Sequence, residues 1–280
     1  MRFGLDIPTA GDYADPRKLA ELAADAEQAG WDGFFLWDLL LGGAKMETPV
    51  VDPWIALAAI AMRTERIRIG VMLTPLPRRR PWQVARQAVA LDHLSGGRLV
   101  FGAGLGYNAR DFTPFGESFD PPVLAGKLDE ALGVIAGLWS GQPVSHHGEH
   151  YQLDGVMLRP GPLQSPRIPV WLAGGWPRKK PFRRAARWDG VYLMTVNQTT
   201  GELLAPDEIR EVVAYVNMHR TTTDPFDVAV NGETPDDPAA GAGIVAPYRE
   251  AGATWWVEFE ASRAGFEDYR RRIRSGPPGA

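Results

Sequence analysis

A carboxylate closes one of the most apolar runs in the sequence. Asp38 follows Gly33-Phe34-Phe35-Leu36-Trp37 and precedes the three leucines Leu39-Leu40-Leu41. A carboxylate in such surroundings must find hydrogen-bond partners or water. It could accept a hydrogen bond from a bound cofactor ring or orient another bound group, and it could equally cap a helix or lie in a surface loop. Its position alone leaves these alternatives open.

Two glycine runs also end apolar segments. The first is Gly102–Gly106, and the second is Gly174-Gly175, which precedes the basic stretch Arg178–Lys180. Glycines ahead of a helix let backbone N–H groups meet a phosphate, although glycines also end strands for steric reasons. The first run is not a dinucleotide fingerprint, because Ala109 stands where its third glycine would be. We predict a phosphate contact at Gly174-Gly175.

The elements that must position these residues are short apolar runs alternating with amphipathic helical segments, the pattern of consecutive βα units. Eight units in 280 residues give 35 residues per unit, which suits an α/β protein of the (β/α)8 TIM-barrel class, a single domain over 1–280. A hairpin insertion is expected at about 144–169, between the fourth and fifth strands. The predicted strands are Phe3–Pro8, Gly33–Asp38, Ile67–Pro75, Leu99–Gly106, Ile168–Gly175, Gly190–Thr195, Asp227–Glu233 and Thr254–Glu260.

Active sites of such barrels form at the carboxyl ends of the strands. The residues there are small, aromatic and polar, as a site for a flat aromatic ligand would require. They are Pro8, Asp38, Thr74, residues 104–108, residues 174–176, Thr195, Asn231 and Glu260.

Two other kinds of site are disfavoured. His146, His147 and His150 have a spacing that could suit a metal, yet they lie in the predicted hairpin, so we expect no metal site. Glu258 and Glu260 share one face of a single strand, whereas the two acids of a glycosidase must face each other across a sugar.

Composition excludes further classes. Without cysteine, the chain can form neither disulfides nor thiolate metal sites. The net charge of −4 gives no footprint for nucleic acid, and the basic run Arg78–Arg80 is interpreted as a solvated loop. The residues from Met1 to Asp6 enter a strand without signal-peptide features, and no run approaches transmembrane length. We expect a cytoplasmic protein with no membrane partner.

Taken together, these motifs resemble the luciferase-like flavin-dependent oxidoreductases, (β/α)8 barrels that use FMN or the deazaflavin coenzyme F-420. The resemblance covers nearly the whole chain. The segments that carry it are Gly30–Asp38, Asp52–Ala59, Thr64–Gly70, Leu73–Pro75, Leu91–Arg98, Gly102–Gly106, His147–Tyr151 and Ile168–Gly175.

The resemblance implies roles for individual positions. Asp38 matches the acid beside the cofactor ring, and Val71-Met72 falls where the F-420-binding branch has a non-prolyl cis peptide in a bulge behind the ring. The remaining cofactor contacts that it implies are Thr74, Gly104, Gly106, Ala173, Gly174, Gly175, Trp176 and Thr195. The implied substrate contacts are Trp37, Leu39, Tyr107, Asn108 and Trp176.

Two positions depart from the family pattern. Leu39 stands where a histidine commonly follows the acid, and Tyr107 stands where some sugar-phosphate dehydrogenases of the family carry a glutamate. Oxidation of an alcohol therefore lacks its usual base. Tyr107 is the predicted proton donor, and Asp38 orients the ring.

The resemblance favours hydride transfer between a reduced cofactor and an unsaturated or carbonyl substrate, with F-420 preferred over FMN. One alternative is an FMN-dependent monooxygenase that receives reduced flavin from a separate reductase and activates oxygen. Another, from a different class, is a barrel that binds a flavin-like ligand without turnover. The resemblance also implies a homodimer.

Overall fold

Eight parallel strands close into a barrel in a computed structural model that describes residues 1–43, 45–194, 204–259 and 265–279. The prediction of a (β/α)8 barrel is confirmed, and each predicted strand is found with its bounds within two residues. The barrel strands are β1 (Arg2–Ile7), β2 (Gly33–Leu36), β3 (Arg68–Pro75), β4 (Leu99–Gly104), β7 (Val170–Gly175), β8 (Gly190–Met194), β9 (Asp227–Gly232) and β10 (Trp255–Glu258). Strands β5 (Val144–His147) and β6 (Gln152–Val156) lie outside the barrel.

Strands β5 and β6 pair with each other as an antiparallel hairpin between β4 and β7. The Glu130 carboxylate holds this hairpin, because it accepts backbone hydrogen bonds from Glu149, His150 and Tyr151. His146 Nε2 lies 3.1 Å from the same carboxylate. Glu130 therefore anchors the hairpin, and His146 and His150 take part in this contact.

The described residues form eight α-helices, which surround the barrel. They are α1 (Pro16–Gln28), α2 (Pro53–Arg63), α3 (Pro81–Leu94), α4 (Pro121–Trp139), α5 (Lys179–Ala185), α6 (Pro206–His219), α7 (Pro238–Glu250) and α8 (Phe266–Arg274). Asp15 and Asp52 cap α1 and α2 through their carboxylates, and a proline follows each cap. In the described part of the chain, no helix combines the length and the apolar content needed to cross a membrane.

Aromatic side chains fill the inside of the barrel. The rings of Phe35, Trp171 and Trp255 contact one another, with centroid separations of 5.3 to 5.8 Å. We call these three side chains the aromatic plug. A Cβ on Gly33 would lie 2.8 Å from Phe35 and from Trp255, so the plug requires glycine there. Each such aromatic pair adds about 0.5–1.5 kcal/mol beyond the burial of its area. The plug separates the two ends of the barrel and leaves the carboxyl ends of the strands for a site.

Candidate active site

Side chains at the carboxyl ends of the strands divide the barrel mouth into two walls. One wall, the polar wall, is formed by inward-facing residues in, or directly after, five neighbouring strands: Trp37, Asp6, Phe259, Asn231 and Tyr192. The opposite side, the bare wall, has almost no side chains, and its inward positions are Gly102 and Gly104 of β4 and Ala173 and Gly175 of β7. These assignments follow from the alternation of the strands, because Val100, Trp171, Tyr192, Ala229 and Val257 pack in the barrel interior.

The bare wall has room for a flat group. The nearest neighbours of a Cβ on Gly104 would be Ala173 and Leu73, at 3.4 to 3.7 Å, and among the described residues a Cβ on Gly175 would meet the Met194 carbonyl oxygen at 3.8 Å. At both positions a Cβ would thus reach described atoms at ordinary contact distances without a clash. The backbone on this side can approach a planar ring closely, which is what a flavin or deazaflavin requires.

The strand beside the bare wall carries a bulge. The register between β3 and β4 shifts between Val71 and Thr74, and the peptide bond between Met72 and Leu73 is cis. The family resemblance implies this bond at Val71-Met72, one residue before its observed position. A Cβ on Gly102 would lie 2.2 Å from the Val71 carbonyl oxygen and 2.6 Å from the Met72 sulfur, so the bulge requires glycine on the neighbouring strand.

The polar wall contains a buried hydrogen-bonded cluster. Tyr192 Oη donates to Asp6 Oδ2 at 2.7 Å, and Asn231 Nδ2 lies 2.8 Å from Tyr192 Oη and 3.3 Å from Asp6 Oδ2. The other carboxyl oxygen, Asp6 Oδ1, is buried and has no hydrogen-bond partner among the described residues. Trp37 stacks on Phe259 beside this cluster, with ring centroids 5.4 Å apart.

Asp6 is poised to hold a proton. Burial raises its pKa to about 7, against the opposing effects of two hydrogen-bond donors beside it, the Tyr192 hydroxyl and the Trp37 side chain. Burial and the adjacent Asp6 together raise the pKa of Tyr192 above its ordinary value. A carboxyl group whose pKa lies near neutrality is suited to general acid–base work.

Sequence reasoning missed Asp6 and Tyr192 and gave Asn231 no role. Asp6 lies 186 positions from Tyr192 and 225 from Asn231 in the sequence, so no local motif joins them. A signal was nevertheless present. Asp6 is a charged residue inside an apolar strand, at the parity of the inward-facing Gly4.

Asp38 is bound by two arginines. Arg79 donates to Asp38 Oδ2 from Nη2 at 2.7 Å and from Nε at 3.1 Å, and Arg78 Nη2 donates to Oδ1 at 3.0 Å. The side chains of Arg78 and Asp38 are only 8% and 2% exposed, so the interpretation of residues 78–80 as a solvated loop is wrong for Arg78. Burial raises the pKa of Asp38, and the charges of Arg79 and Arg78 act in the opposite direction.

The arginines connect three loops at the mouth. Arg78 Nη1 lies 3.7 Å from Asp111, which follows β4, and Arg79 Nη2 lies 4.0 Å from Asp52, which caps α2. Asp38 thus belongs to a charge network that joins the segments after β2, β3 and β4.

Three predicted contacts lie on the outer side of the barrel. Trp176 is buried between α5 and α6, where it packs against Phe182 and Tyr215 and donates to Glu211, so this packing does not support a substrate or cofactor contact. A Cβ on Gly174 would lie 2.9 Å from Phe182, which gives this glycine a packing role. Thr74 pairs with the outward-facing Ala103.

The predicted residues after β4 lie in a loop. Gly106 has a φ of +94°, and a Cβ there would also lie 2.8 Å from Phe112, so the turn itself requires glycine. Asn108 caps a short 3-10 helix through Arg110 N, and Tyr107 is 71% exposed. Leu39 is half-buried after β2, and Thr195 and Glu260 lie outside the described residues.

The described residues contain no group of three or more His, Asp or Glu side chains that could hold a metal ion. A mouth with one bare wall and one wall carrying a titratable carboxyl can instead hold a planar organic group and exchange a proton beside it.

Comparison with known proteins gives relatives of two kinds. The chain is 35% identical over 145 residues to limonene 1,2-monooxygenase of Rhodococcus erythropolis, covering 52% of this chain and 36% of that protein. It is 30% identical over 184 residues to the F420-dependent glucose-6-phosphate dehydrogenase of Nakamurella multipartita, covering 63% and 51%. The chain spans about half the length, or less, of the first curated relatives that it matches.

A monooxygenase from Streptomyces bottropensis has the same fold, with a TM-score of 0.74, 19% identity, and coverage of 98% of this chain and 97% of that one. The sequence profile of the family described as luciferase-like monooxygenase matches residues 1–275. This chain therefore belongs to the luciferase-like monooxygenase family.

Proposed function

We propose that this protein is an oxidoreductase that transfers a hydride between reduced coenzyme F-420 and a small organic substrate with a carbonyl group or an activated double bond. The observation that carries the proposal is the two-walled mouth. A bare wall at Gly104 and Gly175 faces a wall that holds the titratable Asp6. A ring and a proton source are the two things that such a reduction needs.

The bare wall would hold the isoalloxazine-like ring against the backbone of β4 and β7. The phosphate end of the cofactor would meet the turn after β7, where Arg178 and Lys180 are exposed. Lys179 is already engaged, because its Nζ lies 3.3 Å from the centre of the Trp176 ring. Of the two glycines, Gly175 alone would lie beside the cofactor, whereas Gly174 packs against Phe182 on the outer side of the barrel.

The bound cofactor supplies the hydride, and the protein supplies position and proton. Within the polar wall, Trp37 and Phe259 form an aromatic surface that would exclude water from the reacting groups. The Asp38–Arg78–Arg79 network fixes the loops that border the mouth. Held in this way, the mouth keeps its shape whether or not Asp38 also contacts the ring.

Similarity to limonene 1,2-monooxygenase favours a second candidate, an FMN-dependent monooxygenase. In that case a separate reductase would supply reduced flavin, and oxygen would be consumed. The bare wall suits FMN as well as F-420, because both carry a planar tricyclic ring.

The test is a titration of the purified protein with FMN and with F-420, followed by a screen of small aldehydes, ketones and 2-cyclohexenone with the reduced cofactors. Turnover without oxygen supports hydride transfer. Turnover that requires oxygen and a flavin reductase supports the monooxygenase. Tight binding without turnover under either condition supports a non-catalytic barrel, and no binding of either cofactor rejects all three. Light scattering of the same sample measures whether the expected homodimer forms.

A further inference from the structure

We propose that Asp6 is the catalytic acid of this site and gives its proton to the substrate atom that becomes negatively charged as the hydride arrives. The inference rests on the proposed function and deepens it, because the sequence had pointed to Tyr107 as the donor. It stands on the position of Asp6, on the hydrogen bonds that its Oδ2 accepts, and on Oδ1, which makes no hydrogen bond of normal geometry with a described residue.

The position of Asp6 is at the reacting end of the barrel. Among the described residues of the barrel strands, Asp6 and Asp227 are the two carboxyl groups at inward-facing positions. Asp227 begins β9 and therefore lies at the opposite end from Asp6. The aromatic plug of Phe35, Trp171 and Trp255 separates the two ends.

The hydrogen bonds decide which oxygen carries the proton. Oδ2 of Asp6 already accepts from Tyr192 Oη and lies within reach of Asn231 Nδ2. A proton on this carboxyl group therefore belongs on Oδ1, the atom that is buried without a partner among the described residues. A buried donor that lacks an internal acceptor is the atom expected to meet a ligand.

The surroundings keep the proton in place near neutral pH. Among the described residues, the groups beside Asp6 are Tyr192 of β8, Asn231 of β9 and Trp37, which follows β2 and stacks on Phe259. None of them carries a charge in the neutral range. No ion pair reaches Asp6 within the described ranges. Burial accordingly raises the pKa of Asp6 to about 7.

The other candidates for the acid are less suited. The Tyr107 side chain is 71% exposed on the loop after β4. Both oxygens of Asp38 accept hydrogen bonds from arginines. Tyr192 donates its hydrogen bond to Asp6 and has a raised pKa, so it supports Asp6 rather than replacing it.

The step balances with the reductant named above. A carbonyl carbon receives the hydride, which is two electrons and one proton, from the reduced deazaflavin or flavin, and the C=O π bond breaks. Its oxygen receives the proton of Asp6 Oδ1, so the product is an alcohol. Asp6 is left as a carboxylate and regains its proton from water.

The experiment compares wild type with Asp6→Asn, Tyr192→Phe and the control Asp227→Asn, which removes a half-buried inward-facing acid from the far end of the barrel. Infrared difference spectra between about pH 5 and about pH 9, on either side of the pKa of about 7, report the protonated carboxyl group of Asp6. Cofactor affinity and the pH dependence of kcat are then measured with the substrate that the screen identifies.

Four results are expected. Wild type shows a carboxyl band that titrates near neutral pH and shifts when the cofactor binds, and its kcat falls above that pH. Asp6→Asn lacks the band, binds cofactor as wild type does, loses about 100-fold or more in kcat, and has a flat pH profile. Tyr192→Phe moves the fall in kcat to higher pH, because a hydrogen bond that lowers the pKa of Asp6 is gone. Asp227→Asn keeps the wild-type profile.

Three results would overturn the proposal, and they separate the role of Asp6 from the proposed function. If Asp6→Asn folds, binds the cofactor and retains wild-type kcat and pH dependence, Asp6 is not the acid, although the proposed function stands. If Asp6→Asn does not fold, an unshifted profile in Tyr192→Phe has the same meaning. Failure of wild type to bind either cofactor overturns the proposed function, and the role of Asp6 falls with it.

Discussion

Arg79 donates two hydrogen bonds to one carboxylate oxygen of Asp38, from Nη2 at 2.7 Å and from Nε at 3.1 Å. The contact joins the loop after β2 to the loop after β3, and Arg78 occupies the other carboxylate oxygen. Asp38, the acid that the family resemblance places beside the cofactor ring, therefore also holds these two loops together. Its removal should affect stability as well as binding.

Asp38→Ala should destabilise the fold by about 3–5 kcal/mol, because it leaves two largely buried guanidinium groups without their main partner. Urea unfolding measures this loss. Asp52→Asn is the matched control. The contact of Asp52 with Arg79 is long, at 4.0 Å, its side chain is half exposed, and asparagine can still cap α2. If Asp38→Ala unfolds at the wild-type urea concentration, the network does not hold the mouth together.

Gly174 and Gly175 should respond differently to the same substitution. Gly174→Val places its side chain against Phe182 and Val191, which approach a Cβ to 2.9 and 3.0 Å, so it should lower stability by about 1–3 kcal/mol. The nearest described atom lies 3.8 Å from a Cβ on Gly175, so in Gly175→Val the fold should persist while cofactor affinity falls. Thermal melting and titration with FMN or F-420 distinguish the two. Equal affinities of wild type and Gly175→Val would remove the bare wall from the cofactor site.

The sequence predicts the scaffold well because strands and caps are local. Alternating apolar runs and the Asp-Pro pairs at α1 and α2 are readable within a few residues, and the structure confirms them. The direction in which a side chain points is harder to predict, because it depends on packing between elements that are distant in the sequence. Trp176 follows β7 as predicted, yet it points into the helical layer, and Gly174 faces outward although Gly175 faces inward.

The charged partners could not be predicted for a related reason. Arg78 and Arg79 are 40 and 41 positions from Asp38, and closure of the barrel brings them together. A basic run between prolines is usually exposed, and only its position beside the buried end of β2 makes it a partner. The cluster around Asp6 depends on the same closure of the first strands on the last ones.

Tyr107→Phe should leave stability unchanged and lower kcat by less than about tenfold, well below the effect of removing a general acid. The reason is its exposure, since 71% of this residue is open to solvent after β4. The measurement is steady-state turnover with the substrate found in the screen, beside Asp6→Asn. A loss of about 100-fold or more in Tyr107→Phe would return the role of proton donor to the tyrosine.

Asp6 should make the stability of the fold depend on pH in an unusual direction. Burial raises its pKa from 3.8 to about 7, so between these values the unfolded chain releases the proton while the folded protein keeps it. The folded state then binds more protons, and its stability falls as pH rises. The contribution of Asp6 is therefore complete below about pH 4, declines up to about pH 7 and is constant above, for a total of about 4 kcal/mol at about 1.4 kcal/mol per unit.

Carboxylates with lowered pKa values, such as Glu27 and Asp129, act in the opposite direction, so the informative quantity is a difference between two proteins. The free energy of unfolding of wild type minus that of Asp6→Asn should decrease steadily from about pH 4 to about pH 7, as measured by urea unfolding. Replacement of the exposed Asp12 by asparagine shows whether loss of any acid gives the same curve. A difference for Asp6→Asn that stays constant across this range would mean that Asp6 is ionised in the folded protein, and the cluster with Tyr192 would then hold a charge instead of a proton.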